Sequence, residues 1–475
     1  MEIIPLSILK GLSLMKDPHL IKQTVKHQQA KQAAQGKGPE LKWWQLSLIG
    51  IGSIIGAGFF LGTGLSIKTA GPSVLLGYMI AGLTTFFVFS ALAEMTVNDP
   101  QAGSFRTYAR KAYGHPISFM SGWMYWLAGI FIMSSEVVAL ATFTQFWFPY
   151  IPLWVFSIMY SGLGIGINLL GVKNFGKIES IFAIIKLSTL IAFVCFGLLF
   201  VFGVVNPKDA AGTASVAFGA LFPNGVIGLW SALIFVFFSF GGIAVIGVVS
   251  SELENKNEIP KAGFGLTIPL VSIYLAALLL IFLMVDWTTV NESESPFVTA
   301  LAAFQIPYID SIFNAIIISA AFSTMVGALF SVSHVMISLA QDGDAPKGLQ
   351  EKNSRGIAFK SLSLTALGLC ISIFFSYLLP SNMYEYITTS AGVMLILNWI
   401  IILASHIKLH PTYQNKTSFK AFGYPFTSYL GIGFILLALS GAMIHTSERI
   451  GLFISVALLF VIFLCYKIIF QVRKQ

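Results

Sequence analysis

Twelve apolar runs succeed one another along this chain, each long enough to cross a bilayer as a helix. They lie near 44–69, 72–97, 116–146, 151–171, 176–203, 226–250, 262–286, 310–340, 358–379, 384–406, 425–445 and 449–470. A hydrocarbon core about 30 Å thick takes about 20 apolar residues at helical rise. Backbone N–H and C=O groups find no water there, so each segment must satisfy its own, as a helix does. The expected fold class is therefore an all-α polytopic membrane protein with twelve transmembrane helices. Charge usage agrees: only 10% of residues are charged and 56% are hydrophobic, where a soluble domain is about one-quarter charged.

The charges that remain set the topology. With the N-terminus inside, twenty-four of the 28 lysines and arginines fall on one side. The other side holds Lys68, Lys208 and Arg449, and Lys186 lies within a span. Such an asymmetry marks the cytoplasmic face, so both termini are expected in the cytoplasm. The net charge of +8 thus serves topology and calls for no nucleic acid. Residues 1–42 form a basic arm, with Ile4, Leu6, Ile8, Leu9 and Leu12 giving it some amphipathic character. It has no signal-peptide pattern and is expected at the cytoplasmic interface of the lipid bilayer. Cys195, Cys370 and Cys465 all lie in apolar runs without metal spacing, so no metal site is expected. Phosphate loops, HExxH and GxSxG are absent, and no nucleophile–base pair suggests an enzyme.

Two of the runs are interrupted. The first carries Gly50, Gly52, Gly56 and Gly58 within nine residues. Each glycine costs a helix interior about 1 kcal/mol relative to alanine. One reading is close helix packing through Gly52 and Gly56. The other is a broken helix whose bare N–H groups suit a carboxylate. The sixth run contains Phe237-Phe238-Ser239-Phe240-Gly241-Gly242-Ile243. Two interrupted spans five apart point to an inverted-repeat transporter with a site near the bilayer midplane, and so favour the second reading.

Several stretches then resemble one family. Gly50–Phe60 is similar to the first-helix signature of amino acid permeases of the amino acid–polyamine–organocation superfamily. Glu94–Phe105 followed by Tyr108-Ala109 resembles their loop after helix 2, and Gly122–Trp126 the start of their third helix. Ser250–Asn255 with Ile259–Ala262 resembles the segment after helix 6, and Ser338–Pro346 the end of helix 8. The matches come in order over roughly 44–410. The resemblance implies a five-plus-five inverted-repeat core, residues 43–410. Two peripheral helices and a short tail follow at 411–475. It also implies amino acid uptake across the cell membrane.

Ionisable groups at membrane depth are costly and are functional candidates by default. Lys186 sits mid-span. It is either a fixed cation capping broken-helix carbonyls or a lysine that gains and loses a proton during transport. The resemblance favours the second, with the ammonium standing in place of a coupling sodium, against carbonyls of helix 1 and hydroxyls of helix 8. Here those hydroxyls are expected to be Ser319 and Ser323, one turn apart. Glu136 is a second protonatable group, a partner for a substrate amine, or a structural carboxyl. Glu94 is expected to pair with a loop arginine, and His334 to be solvated or capping.

The resemblance places backbone at Ile54, Ala57 and Gly58 around the substrate carboxylate, and carbonyls near Phe238, Ser239 and Gly241 around its ammonium. Phe240 becomes an aromatic lid toward the outside. Many relatives carry an acid just after this break, where this chain has Ala244. A cationic side chain would then lack a buried partner apart from Glu136, so the expected substrate is a neutral, apolar amino acid. No cofactor is called for; protons are the expected coupling ion and sodium is not. An exchanger with the same fold, or a transporter-like sensor, is the alternative. A channel is disfavoured by the lack of a repeated filter sequence. Oligomeric state is not legible.

Overall fold

A computed structural model of the chain describes residues 41–101, 104–169, 175–207, 221–243, 253, 255–290, 294–353, 357–378, 383–413 and 419–472. Nearly all of the basic arm lies outside these residues, as do Ala244 and residues 250–252 and 254 of the segment that resembles the one after helix 6.

The first span is a helix in three pieces: α1 (Trp43–Ile54), α2 (Ala57–Phe60) and α3 (Gly62–Ala70). Ile55 and Gly56 between the first two pieces are extended. The second to fifth spans are α4 (Val74–Asn98), α6 (His115–Gln145), α7 (Leu153–Leu169) and α8 (Phe175–Val201), with α5 (Ser104–Tyr113) inserted before α6. The sixth span is α9 (Gly225–Phe238), which opens into turns over 239–242. There follow α10 (Ile259–Met284), the short α11 (Pro296–Ala302), α12 (Ile309–Gln341), α13 (Phe359–Leu378), α14 (Met383–Leu409), α15 (Phe426–Gly441) and α16 (Thr446–Val472). The fold is all-α; among the described residues the only extended pairing is an isolated bridge between Leu41 and Leu253.

Every expected span meets a helix, and both expected interruptions are real breaks. The two helices that hydropathy missed, α5 and α11, are too short or too polar to register as spans. In α5, Phe105, Tyr108, Ala109 and Ala112 recur at helical spacing and are buried, while Arg110 and Lys111 point out. The chain is assembled around α6, which packs along both α12 and α14. The two broken helices meet in the middle, with α9 against α3, and the unbroken fifth span packs on the first, α8 against α1. A Cβ at Gly242 would lie 2.3 Å from the Ser53 carbonyl oxygen, so only glycine lets the second break approach the first.

Above the first break, on the α3 side, aromatic rings close the interior. Phe59 stacks on Tyr274 at 3.5 Å, and Tyr78 lies edge-on to both. Phe240 packs on Tyr78 and Tyr274, and Phe297 on Phe59, Phe60 and Phe193. Such pairs add about 0.5–1.5 kcal/mol each beyond the area they bury.

At the other end, two of the motif segments are joined by charge. Buried Arg106 of α5 bonds to Asp342, to Asp344 at 3.1 Å and to the Ser338 hydroxyl at 3.0 Å. His115 meets the far oxygen of Asp344 at 2.6 Å. Removing one partner of a buried pair strands the other charge and costs about 3–5 kcal/mol. Arg106→Ala is therefore expected to lower the thermal midpoint of the detergent-purified protein by several degrees. An Arg106→Ala melt superimposable on wild type would show that the pair carries no stability.

Candidate functional site

The break in the first span frees polar backbone that other helices then claim. The N–H of Ala57, at the head of α2, donates to both carboxylate oxygens of Glu136, at 3.1 and 2.9 Å. Gly56 makes this approach possible: a Cβ there would sit 2.3 Å from Glu136 Oε1 and 3.0 Å from Thr324. The Ile55 carbonyl accepts from the Thr324 hydroxyl at 3.1 Å, and the Ala57 carbonyl from the Tyr384 hydroxyl at 3.0 Å.

Lys186 is fully buried on α8. Its ammonium donates to the Gly52 carbonyl at 2.7 Å and to Thr324 Oγ1 at 2.6 Å, with Glu179 Oε1 at 4.0 Å. The hydroxyl from the eighth span, α12, is thus Thr324 rather than Ser319 or Ser323. Ser319 is partly buried, and the buried Ser323 hydroxyl has no hydrogen-bond partner among the described residues. Successive helical residues are about 100° apart, and sequence alone does not fix the rotation of α12 that finely. Glu179 was also missed. Its signal is the spacing of seven from Lys186, two turns along one face of the same helix.

A cavity lies between the two breaks on the α1 side of the aromatic cluster. Ser53, Ile54 and Gly58 line it from the first break, and Phe238, Gly241 and Gly242 from the second. Glu136 and Tyr125 of α6, Glu179 of α8 and Thr324 of α12 supply its polar groups. Ala128, Gly129, Gly327 and Ala328 make much of the remaining wall. Of the expected substrate residues, Ile54, Gly58, Phe238 and Gly241 line this cavity, as does Glu136. The other three stand behind it. Ala57 is engaged by Glu136, and Phe240 belongs to the aromatic cluster. The Ser239 hydroxyl bridges the two breaks, donating to the Gly58 carbonyl at 2.8 Å and meeting Tyr78 at 3.1 Å.

Two discontinuous helices whose broken backbone meets around one interior site are the arrangement of a secondary transporter. The sequence pattern described as amino acid permease matches residues 45–475. The chain belongs to the amino acid permease family. The permease is 40% identical over 429 residues to an uncharacterized transporter, YcgH, of Bacillus subtilis, covering 90% of this chain and 94% of that one. It is 31% identical over 423 residues to the aromatic amino acid transport protein AroP of Escherichia coli K12, covering 88% and 92%. With the amino-acid permease AapA of Bacillus subtilis the identity is 31% over 442 residues, covering 91% and 95%. Among solved structures, a manganese transporter of Eremococcus coleocola superposes with a TM-score of 0.57 at 12% identity, covering 90% of this chain and 94% of that one. That likeness speaks to the fold alone. The permease is thus a multi-pass membrane protein whose family transports amino acids, not an enzyme.

Outside the cavity one expectation is revised and another is met. Among the described residues Glu94 pairs with no arginine; its oxygens face His406 at 3.0 Å and His410 at 2.7 Å. His334 is solvent-exposed, with Nδ1 2.9 Å from the Phe330 carbonyl and its ring over Phe330, the capping role expected of it.

Proposed function

We propose that this permease imports a neutral, apolar amino acid across the cell membrane by proton-coupled alternating access, with both termini in the cytoplasm. The observation that carries the reading is the buried Lys186 ammonium bound to the Gly52 carbonyl and the Thr324 hydroxyl. Oxygen ligands of this kind suit a hard cation such as sodium. A fixed ammonium among them repels a second cation at close range. Sodium is then excluded, and the transferable cation is a proton on or off the lysine.

In this reading residues 1–42 are a cytoplasmic arm, 43–410 the transport core, and 411–475 peripheral helices with a short tail. The α1 side of the break faces the cytoplasm, so the cavity opens inward and the Phe59, Tyr78, Phe240 and Tyr274 rings close the outer route. A substrate carboxylate approaching the α2 N-terminus meets Glu136 already on the Ala57 N–H. It takes that place as Glu136 withdraws, and a protonated Glu136 leaves without carrying charge into the membrane. The ammonium then faces the carbonyls exposed near Phe238, Ser239 and Gly241.

The side chain would lie against Ala128, Gly129, Gly327 and Ala328. Relatives such as AroP are named aromatic amino acid transport proteins, which agrees with a bulky apolar guest. Competition for uptake in proteoliposomes tests this. Phenylalanine and leucine should inhibit labelled substrate strongly, and lysine and arginine weakly. Strong inhibition by lysine alone would reverse the assignment and make Glu136 the partner of a cationic side chain. An amino acid exchanger would instead need substrate on the far side before any influx appeared.

A further inference from the structure

Away from the cavity, Glu94 of α4 and two histidines one turn apart, His406 at the end of α14 and His410 just beyond it, converge in the interior. All three are buried, and one ligand atom from each lies within 4.8 Å of the others. Glu94 Oε2 is 3.0 Å from His406 Nε2. Glu94 Oε1 is 2.7 Å from His410 Nδ1, yet neither of these two buried atoms makes a hydrogen bond among the described residues. Two buried atoms this close whose mutual geometry is not that of a hydrogen bond leave their lone pairs open to another partner. We propose that Glu94, His406 and His410 form a site for a borderline divalent transition-metal ion of the zinc type.

The donor set fits. Two imidazoles and one carboxylate are zinc ligands, with metal–ligand distances of about 2.0–2.2 Å and a fourth position open to water. Hard cations such as magnesium prefer all-oxygen surroundings. The outer layer is already built. His406 Nδ1 faces the Ser428 hydroxyl at 3.1 Å, which leaves Nε2 to the metal. The Ala421 N–H donates to Glu94 Oε2 at 2.6 Å. The His410 ring is stacked on Tyr424 at 3.5 Å, which fixes its plane. None of the three residues lines the transport cavity. A bound ion would instead tie α4 and α14 to the segment that leads into α15, where the Asn98 side chain also holds the Phe419 carbonyl at 3.0 Å. The spacing His406-x-x-x-His410 was visible in the sequence; its carboxylate, more than three hundred positions earlier, was not.

The full chain, purified in detergent, freed of any affinity tag and dialysed against a chelator, supplies the test. Zinc should bind at one equivalent, raise the thermal midpoint, and do neither when replaced by magnesium. Cobalt(II) should give the intense visible absorption of a four-coordinate site. His410→Ala should lose the zinc-dependent midpoint shift and the cobalt spectrum while melting like the metal-free wild type. Wild-type protein that neither binds zinc stoichiometrically nor shifts its midpoint would overturn the proposal. Zinc binding of unchanged affinity in His410→Ala and His406→Ala would overturn it too. If those variants fail to fold, the wild-type zinc titration and cobalt spectrum decide alone.

Discussion

Gly56→Leu is expected to abolish transport while leaving membrane insertion intact. Even the first carbon of the new side chain would stand 2.3 Å from Glu136 Oε1 and 3.0 Å from Thr324. Overpacking of this kind costs about 1–3 kcal/mol. Relief comes by pushing Glu136 off the Ala57 N–H or Thr324 away from Lys186, and either dismantles the site. Substrate binding to the purified variant, alongside a check that it elutes as a folded species, makes the measurement. Normal affinity in Gly56→Leu would mean that the substrate does not sit at this break.

Lys186→Ala has the second large effect. It leaves the Gly52 carbonyl, the Thr324 hydroxyl and Glu179 without their cation. Stranding a buried partner costs about 3–5 kcal/mol, part of which reorganisation of the neighbours recovers. The functional loss is expected to be more selective than the loss of stability. Accumulation driven by an inward-acid gradient should vanish, whereas exchange of internal for external substrate at equal pH should survive. A Lys186→Ala variant that still concentrates substrate in response to pH would remove the lysine from the coupling step.

The architecture was legible because its causes are local. Hydropathy reports what a bilayer demands of any segment, and the glycines of the first span and the Gly241-Gly242 pair of the sixth mark where helix is abandoned. Lys186 and Glu136 stood out because a charge in an apolar run has few structural excuses. What stayed hidden was pairing across the fold. Thr324 rather than its neighbour Ser323 meets Lys186 because α12 is rotated by one residue relative to the expected face. Ala57 was read as a donor to a ligand, and Glu136, seventy-nine residues away, already holds it. Arg106 and Asp344 belong to motifs that were each recognisable, but only packing of α5 on the end of α12 shows them as one ion pair.

The most direct test of proton-driven amino acid import is made with wild-type protein in proteoliposomes and sodium-free buffer. Labelled phenylalanine or leucine is supplied outside, with the exterior more acidic than the lumen. The account predicts accumulation above the external concentration. It should collapse when a protonophore is added and stay unchanged when sodium is restored. Accumulation that appears only with sodium, or uptake that never exceeds equilibrium whatever the pH difference, would contradict it.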